Sequence, residues 1–218
     1  MYITYLILAA TILISIKAFE DQSLLNKMLF NPYDVVHYKK WYRIFSHAFI
    51  HADFMHLGFN MYVLYMFGVE VTPHSQSFYY GFKSLEPALV FDFGSLGYIY
   101  FALLYVGGIV ASSIFSLIKH KDNPNYNSLG ASGAVSAVVF GSILINPTAQ
   151  MGLMFLPFYL PAYIFGPLML VAEYFLSKRG GTRIAHDAHI GGALFGLLFV
   201  SLVNPNYVTQ FFNAIFNG

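Results

Sequence analysis

The chain has 218 residues, 57% of them hydrophobic and 10% charged, with a mean hydropathy of +0.60, whereas a soluble domain carries about 25% charged residues. This composition excludes an ordinary water-soluble globule and points to a protein that crosses a bilayer several times. A formal net charge of +1 leaves no field that would gather nucleic acid, and the absence of cysteine excludes disulfides, iron–sulfur clusters and a thiol nucleophile.

Crossing a hydrocarbon core takes roughly 20 apolar residues, with about 17 to 25 workable. On that scale six spans are predicted, at residues 2–17, 54–70, 96–118, 130–145, 161–177 and 186–203. They make an all-α, polytopic, six-helix bundle in a single membrane domain, 1–218. The first span lacks a basic leader and a clear small-residue cleavage site, so it reads as a membrane helix rather than a signal peptide. Residues 18–46 form a long charged loop with the only tryptophan, Trp41. Residues 71–95 read as a polar connection carrying Pro73, His74, Lys83, Glu86 and Asp92. The segment from Met151 to Leu160, bracketed by Pro157 and Pro161, is apolar and interfacial, and the sixth span stops at Asn204-Pro205.

Polar side chains inside apolar spans are costly unless they face protein or a water cavity. Three groups stand out. His47, His51, His56 and Asn60 gather at the start of the second span, and the i,i+4 spacing of His56 and Asn60 puts those two on one helix face. Ser132 lies in Gly130-Ala131-Ser132-Gly133 at the mouth of the fourth span. His186 and His189 open the sixth.

A serine hydroxyl becomes a nucleophile when a base takes its proton, and histidine is the usual base. Ser132 and His189 can form that pair if their helices touch. Gly133, Ala137 and Gly141 on one helix, and the GxxxG pair Gly192 and Gly196 on the other, permit such an approach. His56, Asn60 and the Ser132 backbone N–H are candidate donors to an oxyanion. Each signal alone favours plain helix packing; three polar groups on separate spans shift the balance toward a site. The strand–turn nucleophile pattern G-x-S-x-G fails because Ala134 takes its last position. No HExxH or paired-carboxylate pattern occurs, so zinc or aspartyl chemistry would rest on histidines alone, and no metal site is expected. Asp187 lies two residues from His189 and points elsewhere on a helix, and Glu173 reads as an end-of-helix charge. The expectation is a dyad without an orienting acid. A histidine-lined transporter is the competing reading, since five of the eight histidines cluster at the ends of two spans.

These residues resemble the rhomboid family of intramembrane serine proteases, in its basic six-helix bacterial form. The resemblance rests on Trp41-Tyr42-Arg43 in the first loop, on His47, His51, His56 and Asn60 as H-x3-H-x4-H-x3-N, on Gly130-Ala131-Ser132-Gly133, and on His189-Ile190-Gly191-Gly192. It implies Ser132 as nucleophile, His189 as general base and acid, and His56, Asn60 and the Ser132 amide as oxyanion hole, with Gly130, Gly133, His51 and Gly192 in support. It further implies transmembrane helices as substrates, a first loop lying partly in the bilayer, no cofactor, and residence in a bacterial inner (cytoplasmic) membrane; it names no oligomeric state. A catalytically silent relative that binds membrane clients is the alternative within the family. The sequence departs from the family at Ser136, where many members carry a tyrosine packed near the catalytic histidine. The aromatic partner of Arg43 is either Trp41 or Tyr42. Orientation is contested: most basic residues, Arg183 among them, fall on the side the family places outside, against the positive-inside tendency. Gate candidates are the first loop and the fifth span with Pro161, Gly166 and Pro167.

Overall fold

The computed structural model describes residues 2–69, 82–152, 158–179 and 186–217. Pro73, His74, Pro157 and Arg183 lie outside them. The chain is a helical bundle of a polytopic membrane protein, with eleven α-helices among the described residues. Three helices are long and apolar enough to cross a membrane by length and composition: α1 (Ile3–Glu20), α7 (Leu96–His120) and α10 (His186–Val203). The others flanking the site are α5 (Phe54–Gly68), α8 (Ser132–Ile145) and α9 (Ala162–Arg179).

The burial pattern is that of a helix in lipid. In α1 the buried residues are Thr4, Thr11, Ser15 and Ala18, while Leu6, Leu13 and Ile16 are exposed. Lipid tails solvate leucine as well as a protein interior does, so large apolar side chains gain little by turning inward. Small residues line the contacts because they let backbones approach, and the Thr4 and Ser15 hydroxyls donate to Glu86 and to the Phe49 carbonyl. Helix α8 is the axis of the bundle. It packs against α5, α7, α9, α10 and α11 (Asn206–Phe216), and the residues from Gly133 to Leu144, except Ser136, are buried.

The first loop folds into three short helices, α2 (Gln22–Met28), α3 (Pro32–His37) and α4 (Arg43–Ser46), followed by a 3₁₀ turn at His47–Phe49. Asp21 caps α2 through the N–H groups of Ser23 and Leu24, and Asn31 caps α3 through that of Asp34, with Pro32 at its first turn. The segment read as a polar connection is in part a helix, α6 (Leu85–Phe93), whose Leu85, Glu86 and Leu89 are fully buried. Glu86 is not a loop charge: its carboxylate accepts from the Ile3 and Thr4 N–H groups and from the Thr4 hydroxyl, so it caps the start of α1. Its charge is stabilised there by the positive end of the helix. Around residues 150–161 two short strands, β1 (Gln150–Met151) and β2 (Leu160–Pro161), pair antiparallel. Beyond Asn204-Pro205 the chain does not simply stop but enters α11, held to α6 by the Tyr207 hydroxyl donating to Asp92.

Candidate active site

Ser132 is the first residue of α8, so its amide belongs to the group of helix N-terminal N–H donors that lack an intrahelical acceptor. The chain reaches it through Gly130, whose φ of +111° is a backbone state that side chains disfavour. Glycine is needed there for a second reason. A Cβ on Gly130 would lie 2.7 Å from His56 Cε1 and 2.9 Å from Nε2, so the His56 ring rests directly on this turn.

The turn is fastened from below by the first loop. Gly130 N–H donates to the His47 carbonyl at 2.9 Å, and Ala131 N–H donates to His51 Nε2 at 3.4 Å. Because Nε2 accepts, the proton of His51 is on Nδ1. It is given to Ser15 Oγ at 2.9 Å, and the Ser15 hydroxyl in turn donates to the Phe49 carbonyl at 2.9 Å. One relay thus ties α1, the first loop and the start of α8. Burial, with the neighbouring His56 as second cause, holds the His51 imidazole down to about 3, which keeps it neutral as this relay requires. Burial likewise pushes His47 down to about 4, and its Nε2 shares a hydrogen bond with the Ser113 hydroxyl at 3.1 Å.

On α5, Asp53 caps the helix by accepting the His56 N–H at 2.7 Å. His56 is half-buried and Asn60 buried. One N–H of the Asn60 amide returns to the His56 carbonyl at 2.9 Å, and an amide carries a second. In the first loop Arg43 is buried, donates to the Leu29 carbonyl at 2.5 Å and forms an ion pair with Asp34 at 3.3 Å. Of the two aromatic candidates, Tyr42 is the one under the guanidinium, 5.9 Å from ring centre to Cζ, while Trp41 is exposed.

Helices α8 and α10 touch backbone to backbone. A Cβ on Gly192 would lie 1.9 Å from the Gly133 carbonyl oxygen, and one on Gly196 would lie 2.1 Å from that of Ala137. His189, one turn before Gly192, therefore enters the bundle at the level where Ser132 opens α8. Ser136, one turn along α8 from Ser132, is half-buried.

The expected absence of an acid beside His189 is corrected. Glu173 is no end-of-helix charge: it lies well inside α9, with one carboxylate oxygen 3.0 Å from His189 Nδ1 and the other 2.5 Å from His186 Nδ1. Asp187 does point away, paired with Lys119 at 2.6 Å. A signal for Glu173 was present in the sequence, since an acid within an apolar helix needs an inward partner, but its partners lie 13 and 16 positions on. Glu173, His186 and His189 also form the group of metal-ligand types found among the described residues, their donor atoms all within 4.8 Å of one another.

The chain is also similar in sequence to known proteins. The chain is 25% identical to RHOMBOID-like protein 12, mitochondrial, of Arabidopsis thaliana, over 81% of this chain and 50% of that protein. It is 28% identical to the presenilin-associated rhomboid-like protein, mitochondrial, of Rattus norvegicus and 29% identical to the Homo sapiens one, over 71% of this chain and 36% of each of those proteins. The chain thus spans half or less of the length of these relatives. The Rhomboid domain family model matches residues 38–206, from the end of α3 to the start of α11, and the chain belongs to the rhomboid family.

Proposed function

We propose that this rhomboid is an intramembrane serine endopeptidase that cleaves transmembrane helices of other membrane proteins. The observation that carries the reading is the backbone contact of α8 with α10 at Gly133 and Gly192, which supports a Ser132 and His189 pair at a common level of the bundle. Ser132 Oγ attacks a substrate carbonyl while His189 takes its proton. The resulting oxyanion accepts hydrogen bonds from the Ser132 amide, the second N–H of Asn60 and His56. His189 then protonates the leaving amine, and water, deprotonated by the same imidazole, releases the acyl group from Ser132. His51 and Gly130 support the reading as the parts that hold the turn bearing Ser132.

Ser132→Ala abolishes cleavage of a model transmembrane substrate in proteoliposomes while the folded protein stays in the membrane. His189→Ala loses about as much, and the double variant little more, because members of one catalytic unit are not additive. Persistent cleavage by Ser132→Ala defeats the assignment; a protein that captures substrate but cleaves none, and whose serine resists a fluorophosphonate, is the silent client-binding relative instead. The membrane is proposed to be a bacterial inner membrane, although the relatives named above are mitochondrial proteins. Six spans with the catalytic mouth outside, as the family implies, put a reporter fused after Gly218 in the cytoplasm; an exported reporter inverts the orientation.

A further inference from the structure

Glu173 lies on a helix whose side chains are mostly exposed, yet it is only 13% exposed itself. An ionised carboxylate in such a setting is stable only where donors meet it. Its two oxygens are taken by two histidines three residues apart on α10, a spacing that sets both rings on one helix face. A carboxylate has no proton to give, so each ring presents its Nδ1 as the N–H donor. Each Nε2 is then left with its lone pair. For His186, 6% exposed, that second nitrogen is buried and has no hydrogen-bond partner. For His189, 17% exposed, it is the nitrogen left to act as a base.

We propose that Glu173 is the positioning residue of the site. Its carboxylate holds His189 in the Nδ1–H tautomer with Nε2 available to Ser132, and it stabilises the imidazolium formed when the serine proton arrives. The inference rests on the reading of Ser132 and His189 given above. During acylation the proton moves from Ser132 Oγ to His189 Nε2 as the Oγ–C bond forms. It moves on to the amine as the C–N bond breaks. Glu173 exchanges no proton in either step; it supplies charge and direction. His186 occupies the other oxygen and prevents the carboxylate from turning away from His189.

The test is steady-state cleavage of a transmembrane substrate in proteoliposomes, with the rate of Ser132 labelling by a fluorophosphonate measured in parallel. In Glu173→Gln, kcat and the labelling rate fall by roughly 100-fold or more with KM little changed, as expected when an orienting acid is lost. Glu173→Asp recovers part of the rate. Among the described residues, the ionisable groups around His189 are Glu173, His186 and, from α5, His56. Removing the carboxylate takes away the charge that favours the imidazolium, so the acidic limb of the pH–rate profile moves to lower pH in Glu173→Gln. A merely structural brace would lower the amount of active enzyme and leave that limb in place. Unchanged kcat and an unmoved acidic limb overturn the proposal. If the variant does not fold, ¹⁵N chemical shifts of His189 in the unaltered protein decide: a bare Nε2 at neutral pH supports it, and a protonated Nε2 with a bare Nδ1 overturns it. Loss of cleavage in Ser132→Ala with full activity in Glu173→Gln removes this proposal alone, whereas cleavage by Ser132→Ala removes both readings.

Discussion

Helix α10 has two unlike neighbours. Toward α8 it presents glycines, and the two backbones meet with no space for a methyl group at Gly192 or Gly196. Toward α9 it presents imidazoles, met by a single carboxylate. Helix α8 is buried almost all round, while on α9 only Ala162 and Gly166 are buried among the side chains described, and Leu168, Val171 and Phe175 are more than half exposed. Pro167 further removes one internal hydrogen bond from α9. The lesson is a division of labour: the helix pair that carries Ser132 and His189 is closely packed and left one arrangement, and Glu173 sits on a helix few of whose residues are buried.

The sharpest way to break this contrast is Gly192→Val. The side chain cannot fit against the Gly133 carbonyl, so α8 and α10 must separate, with an expected destabilisation on the order of 3 kcal/mol or more and loss of the folded protein. Thermal unfolding in detergent reads it; an unchanged Tm means the contact is not what holds the pair. Next in size is an engineered crosslink between α5 and α9, which no native cysteine would confuse. If α9 moves aside to admit a substrate helix, cleavage of a membrane substrate is lost while fluorophosphonate labelling of Ser132 persists; undiminished cleavage of the membrane substrate rules α9 out as the gate.

His51→Ala removes the acceptor of the Ala131 N–H and the donor to Ser15, an expected cost of about 1–3 kcal/mol, together with a drop in activity that tracks the disorder of the Gly130 turn. The same histidine predicts a pH effect. His51 and His47 are held below their ordinary value of 6.5, to about 3 and about 4, so the unfolded chain binds more protons than the folded one between those values and 6.5. Their contribution to stability is present above about pH 6.5 and is lost as pH falls from there toward 4. A Tm that rises on acidification across this window contradicts the assignment. Smallest of all, Val171→Ala on the exposed side of α9 changes stability by less than about 0.5 kcal/mol; a larger loss would show that this face is covered.

Much of the candidate site was legible because the motifs shared with the rhomboid family are short local patterns. The i,i+4 relation of His56 and Asn60, the glycines around Ser132 and the GxxxG after His189 each follow from helix geometry within a few residues. Trp41-Tyr42-Arg43 left its aromatic partner open until the guanidinium was seen over Tyr42. The reading of residues 71–95 as a polar connection missed α6, since Glu86 looks like a loop charge until the α1 N-terminus is brought to it from 82 and 83 positions away.

The sequence by itself determined that this is a membrane protein of apolar helices, because the bilayer demands long apolar segments whatever their neighbours are. It also determined which helices can come into backbone contact, because only small residues permit it. What tertiary structure alone decided is the pairing of charges across helices: Glu173 with His186 and His189, Glu86 with the start of α1, Asp187 with Lys119. An ion in an apolar bundle must find a partner, but composition and periodicity do not say which one. That choice is made by the packing angles of whole helices, and it is what sets Glu173 beside the histidine of the expected Ser132 and His189 dyad.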